Sequence, residues 1–193
     1  MKKSTTFIRI VALSFLAVTL VACENMKKEP ETTDSKEIAE EMNEDKFETS
    51  ESENKADFLV AAIAANLAEL ELAELAISKS GNGEVRSMAL QLKKDHLGIL
   101  GDLKAFAEKR GVTVPARMSD SDSTAVEKMR MEKQVDFDKK WLKDMEDRHQ
   151  SSLKKYKKVA EDAEDIELQN IANKHIVIIE SHHHMIEKEL AKY

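Results

Sequence analysis

An all-α chain, folded as an up-down bundle of four long helices with a short extra helix between the second and third, is what the sequence predicts. Three observations lead there. Ala, Leu, Glu and Lys dominate, with only five Gly and two Pro in 193 residues, a composition that suits helices. Val, Thr and aromatic residues never alternate over a strand length. Four long stretches after residue 54 instead carry apolar residues every three or four positions, which lines them along one helical face.

The first long helix begins near Lys55 or Asp57, with Phe58, Ala62, Ala65, Glu69, Leu72 and Ala76 on one face. Ser80-Gly81-Asn82-Gly83 stops it. The second spans about residues 84–110 with Leu92, His96, Ile99 and Leu103 inward, and Gly111 and Pro115 end it. Gly98 and Gly101 sit inside it, each a cost unless it permits close helix approach or local looseness. Ser119 to Ser123 offer N-caps for a short helix over about 124–132. The third long helix covers about 136–161 with Phe137, Trp141, Met145, His149 and Tyr156 inward. The fourth covers about 163–191 with Leu168, His175, Ile179, His182 and Ile186 inward.

The chain divides into three regions. Lys2, Lys3 and Arg9 precede an apolar run, residues 10–22, of about 13 residues, too short for a spanning helix of roughly 20. Small Ala22 stands before Cys23, the only cysteine. Leu20-Val21-Ala22-Cys23 resembles the bacterial lipobox, which implies a signal peptide over 1–22, a lipidated Cys23 and a membrane-anchored envelope protein. Glu24 rather than Asp after the cysteine favours the outer membrane by the same resemblance. A lone cysteine excludes an internal disulfide and any cysteine-based metal cluster. Residues 23–54 are acidic and poor in large apolar side chains, and read as a disordered tether with at most a transient helix near 36–44. Residues 55–193 form the domain. Loss of the leader takes the formal charge from −7 to −10, so nucleic acid is not a partner. No protein partner or oligomeric state can be read from the residues. No nucleophilic triad or phosphate loop occurs either, which argues against an enzyme of those classes.

Each long helix carries one titratable residue in its apolar stripe near mid-length: Glu69, His96, His149 and His182. In an antiparallel bundle these side chains lie at similar heights and are expected to meet. Two outcomes fit: a hydrogen-bonded Glu–His core cluster that only sets helix register, or a site for a single transition-metal ion. Asp95 is placed to orient a ring. Glu146 and Glu180 each stand three residues before a histidine, His149 and His183, the spacing of carboxylate-bridged dimetal bundles. Of His182, His183 and His184, only one can face the core.

The stretch DFLVAAIAANLAELELAEL from Asp57, Lys93-Lys94-Asp95-His96, Gly111-Val112-Thr113-Val114-Pro115, and Phe137-Asp138-Lys139-Lys140-Trp141 through His149-Gln150 resemble the domain-of-unknown-function 4142 family. The resemblance covers about residues 55–190. It implies a ferritin-like, all-helical, envelope-located protein with signature positions Glu69, Asp95, His96, His149 and His182. A tethered bundle with such an inward site is expected to act in envelope stress or metal handling; the alternative is a non-enzymatic envelope protein whose long charged helices contact a partner. Two departures stand out. Arg148 replaces the family's Asp before the third-helix histidine, so a supporting carboxylate is lost there unless Glu146 or Asp147 replaces it. Ile176-Val177 replaces a Leu-Pro in the fourth helix, which should then be straighter. Lys93 stands where a dimetal site would need Glu, so a mononuclear centre is the form a metal site would take.

Overall fold

In the computed structural model, residues 33–193 are described. They form six helices and no strand: α1 (Ser35–Glu44), α2 (Ser50–Lys79), α3 (Gly83–Lys109), α4 (Asp120–Met131), α5 (Gln134–Asp162) and α6 (Ile166–Leu190). The leader over 1–22, the lipidation site Cys23 and the first part of the tether lie outside the described residues. Among the described residues, no helix is long and apolar enough to cross a membrane.

The four long helices are α2, α3, α5 and α6, and the short extra helix is α4. Capping fixes their starts. Thr49, Asn82 and Asp165 side chains accept from backbone N–H groups in the first turns of α2, α3 and α6. Gly111, at φ 68°, ends α3 with the Val112 N–H bonded to the Ala107 carbonyl at 3.0 Å, a left-handed cap that favours glycine. Two antiparallel hairpins result, α2/α3 and α5/α6, each packed more extensively within itself than against the other. The connection over 110–133 climbs the length of the bundle. Asp165 meets Arg110 and Lys55 at one end, while Gln134 reaches the Lys79 carbonyl at the other. α3 and α5 therefore run parallel, the one-crossover arrangement of ferritin-like bundles.

The tether expected over 23–54 does not extend that far. α2 starts at Ser50, and α1 is docked against α2 and the 111–120 segment. The Asn43 amide donates to the Thr113 carbonyl at 2.9 Å and accepts from the Thr113 N–H at 2.8 Å, while Asp34 accepts from Asp120 N–H at 2.7 Å. Composition alone suggested disorder because α1 buries only Ala39 and Asn43. Its hold comes from hydrogen bonds to a loop some seventy residues away.

The bundle interior is two apolar clusters separated by a polar layer. The lower cluster includes Leu59, Ile63, Ile99, Leu103, Tyr156 and Ile179. The upper includes Leu72, Leu92, Phe137, Trp141, Met145 and Ile186. Between them lie Asn66, Glu69, His96, His149 and His182, all buried. α6 runs unbroken through this layer, as expected without the proline.

Gly98 and Gly101 are exposed, and a Cβ at either would meet nothing within 4 Å. Neither serves a close helix approach. Gly98→Ala and Gly101→Ala should each raise stability by up to about 1 kcal/mol, read as a higher urea midpoint with an unchanged slope.

Candidate metal centre

Helical register brings the three histidines together. His96 follows Leu92 by one turn on α3, His149 follows Met145 by one turn on α5, and His182 follows Ile179 on α6. All three neighbours lie in the core clusters. The rings are 2%, 0% and 1% exposed. Their centroids form a near-equilateral triangle with sides of 5.3, 5.3 and 5.5 Å. One nitrogen of each faces the others. His149 Nε2 is 3.4 Å from His96 Nε2 and 3.4 Å from His182 Nδ1, and one nitrogen from each ring lies within 4.8 Å of the others.

The outward nitrogens fix the tautomers. His149 Nδ1 is 2.8 Å from the Met145 carbonyl, which can only accept, so Nδ1 carries the proton. His96 Nδ1 is 2.9 Å from Asn66 Oδ1. The Asn66 amide nitrogen donates to the Ala62 carbonyl, which fixes the oxygen as the end facing His96. His182 Nε2 donates to Asp95 Oδ2 at 3.0 Å. Burial alone would raise the Asp95 pKa, but hydrogen bonds from His182 and Gln91 hold it below the usual carboxylate range. Three rings thus donate outward and turn three lone pairs inward.

Burial keeps His96 and His149 neutral. Desolvation pushes His96 down to about 3 and His149 down to about 4, each from 6.5, with the neighbouring rings adding to the shift and Asp95 or Glu69 opposing it. Burial raises the pKa of Glu69, against the opposing fields of His149, Arg148 and His182.

Not every residue expected at the centre reaches it. Glu69 Oε2 lies 3.2 Å from His96 Nδ1, on the outward side of that ring, so its carboxylate stands beside the triangle. Asp95 supports His182 across the α3/α6 contact, not its own neighbour His96. Glu146 turns outward to Lys143 at 2.8 Å and Glu180 is paired with Lys157 at 2.8 Å. His183 is only partly buried and groups with Glu146 and Glu187 on the α5/α6 flank, while His184 is exposed. The carboxylate missing before His149 is not replaced by Glu146 or Asp147. The backbone carbonyl of Met145 takes its role, and Arg148 bonds Asp122 at 2.7 Å and Asp144 at 2.8 Å, locking α4 to α5. Sequence reasoning missed Asn66 as a site residue. Its signal was a polar side chain three residues before Glu69 in an otherwise apolar stripe.

With the geometry in hand, the family model described as "Domain of unknown function (DUF4142)" matches residues 35–188. The chain belongs to that family. Its match includes α1, in keeping with the docked position of that helix. A solved structure titled "Crystal structure of DUF305 fragment from Deinococcus radiodurans" is similar at 17% identity with a TM-score of 0.65, covering 72% of this chain and 97% of that chain. At that identity the likeness concerns the fold. No curated protein matches.

Neutral His96 and His149 give the metal-free DUF4142 protein a pH dependence. A histidine with a depressed native pKa binds its proton first in the unfolded state. Stability is therefore full above about 6.5 and falls as pH drops toward the native values of about 4 and about 3. Glu69, with a raised native pKa, acts in the opposite sense above its ordinary value. Unfolding free energy should drop on acidification below pH 6.5 by up to about 1.4 kcal/mol per pH unit for each histidine. Urea titrations between pH 4 and 7 measure this, and a flat profile would contradict neutral burial.

Proposed function

We propose that this protein binds a single first-row transition-metal ion at His96, His149 and His182, and that it handles that ion in the cell envelope from a lipid anchor on Cys23. One observation carries the metal reading. Three inward lone pairs with no hydrogen among them repel one another, His149 Nε2 standing 3.4 Å from each of the other two nitrogens and all three lying within 4.8 Å, and a cation at their centre turns that repulsion into attraction. Burial drives His96 and His149 far below neutrality, so a proton does not settle on either of these two rings at neutral pH. A metal fits in size. Bonds of about 2.0–2.1 Å at a tetrahedral angle set the nitrogens roughly 3.3–3.4 Å apart.

Imidazole suits zinc, copper, iron and nickel. The support matches a metal centre as well: every ring is oriented by a partner behind it, a carboxylate, a carboxamide or a main-chain carbonyl. Glu69 and Asp95, near the rings but not in the triangle, supply two negative charges against a dication. Three protein ligands leave a fourth position for an exchangeable group, which suits an ion that is taken up and passed on.

The test is equilibrium binding. Full-length protein titrated with zinc or copper should take up one equivalent, and saturation at a hundred times the dissociation constant should stabilise it by about 2.7 kcal/mol, removed by chelator. His149→Ala should abolish both. Absence of bound metal across several ions, with melting unaffected by chelator, would leave the histidines as a register-setting polar layer. For the anchor, Cys23→Ser should move the protein from the membrane fraction to the soluble envelope fraction and abolish incorporation of labelled fatty acid.

A further inference from the structure

Among the described residues, no hydrogen-bond donor reaches Glu69. Its carboxylate meets only His96 Nδ1 at ion-pair distance, and that N–H is already directed at Asn66. Asp95, by contrast, accepts from His182 at 3.0 Å and Gln91 at 2.6 Å. A carboxylate 97% buried and short of donors is costly unless something polar or cationic comes to it. The remaining surface of Glu69 faces a cavity of about 330 Å³ between α1, α2, α4 and α5.

That cavity exists because α2 presents Ala61, Ala64 and Ala65 along this side, one and two turns before Glu69. Ser119, Ser121, Ser151 and Ser152 contribute hydroxyls, and the first turn of α1 roofs it with Lys36 and Glu37. Four carboxylates line it against three cations. Two of the cations are spent on neighbours: Lys36 pairs with Glu40 at 2.5 Å, and Arg148 with Asp122 and Asp144. The result is a hydrophilic passage with a slight excess of negative charge, open to solvent at one end. At the other it stops at a carboxylate touching a ring of the histidine triangle.

We propose that this cavity is the path by which a hydrated divalent ion reaches the three histidines, and that Glu69 is the carboxylate that receives it at the inner end. The inference rests on the metal reading above and deepens it. The hydroxyls and carboxylates of the walls replace waters of hydration one at a time, and Glu69 holds the ion next to His96 while the last are shed. The three rings are buried between the two apolar clusters, so exchange needs a polar approach of this kind.

A path differs from a ligand in its kinetics: narrowing it slows arrival and departure equally and leaves affinity unchanged. Ala65→Leu puts three more carbons into the cavity from α2 without disturbing helix propensity, and Ser152→Leu narrows it from α5. Zinc uptake by full-length protein in detergent, followed by stopped flow, and zinc removal by excess chelator should both slow by about tenfold in each variant, a barrier rise of about 1.4 kcal/mol. The dissociation constant should match that of the parent. Glu69→Gln should slow uptake while retaining one equivalent at saturation. Parental uptake and release rates in Ala65→Leu and Ser152→Leu, with parental affinity, overturn the path and leave the metal site standing. A parent protein that binds no zinc overturns the underlying reading, and is seen before any variant is compared.

Discussion

Three imidazole nitrogens crowded together in a buried interior, that of His149 3.4 Å from each of the other two, are the constraint on which the rest of this bundle turns. Apolar side chains at these positions would pack with no such repulsion. The rings cannot relax by rotating, because each is tied from behind: His96 by Asn66, His149 by its own helix and His182 by Asp95. Turning any ring to share a hydrogen with its neighbours would leave an acceptor without its donor, at a cost of about 1–3 kcal/mol where that acceptor is buried. The fold thus holds a locally unfavourable arrangement in place by satisfying everything around it.

The layer's position explains its structural consequence. It separates the lower apolar cluster from the upper one, and its ligand atoms come from both hairpins, His96 from α2/α3 and the other two from α5/α6. The hairpins meet each other far less extensively than their own halves do. An ion at the triangle would bridge the weaker of the two kinds of interface in the molecule. α4 and α1 add the remaining cross-bracing. Arg148 clamps α4 to α5 through Asp122, and Asn43 and Asp34 clamp α1 to the crossover.

The long helices and the meeting of the histidines were legible because both follow from register. A polar residue one turn after an apolar one must share its face, and helices joined by two or three residues must be neighbours. What supports the rings was not legible in the same way. Asp95 was placed to orient a ring, but the sequence did not say which; consecutive helical residues diverge by about 100°, so the carboxylate meets a ring on α6 and not adjacent His96. The Met145 carbonyl carries no side-chain signature at all. α1 was hidden for a different reason. Its stability depends on paired hydrogen bonds between Asn43 and Thr113, and no periodicity within 35–44 reports a contact with a distant loop. The full crossover was equally invisible, since the polar connection over 110–133 does not state which end of the bundle it reaches.

The carboxylates also decide how many ions the interior can accept. A dimetal centre of the ferritin kind needs bridging glutamates directed inward at the height of the histidines. Both Glu-x-x-His motifs fail that test. Glu146 lies on the flank with Lys143, and Glu180 lies on the surface with Lys157. Lys93, which occupies the position of the missing glutamate on α3, pairs with Glu74 at the surface. A second cation in the core would therefore face only the outward N–H groups of rings that already donate elsewhere. Its nearest carboxylate would be Glu69, a single group already balancing the first charge. With its glutamates turned outward, this interior would have room for one ion, held by nitrogen ligands in place of oxygen. Such a donor set would favour the later first-row metals over hard, oxygen-seeking ions.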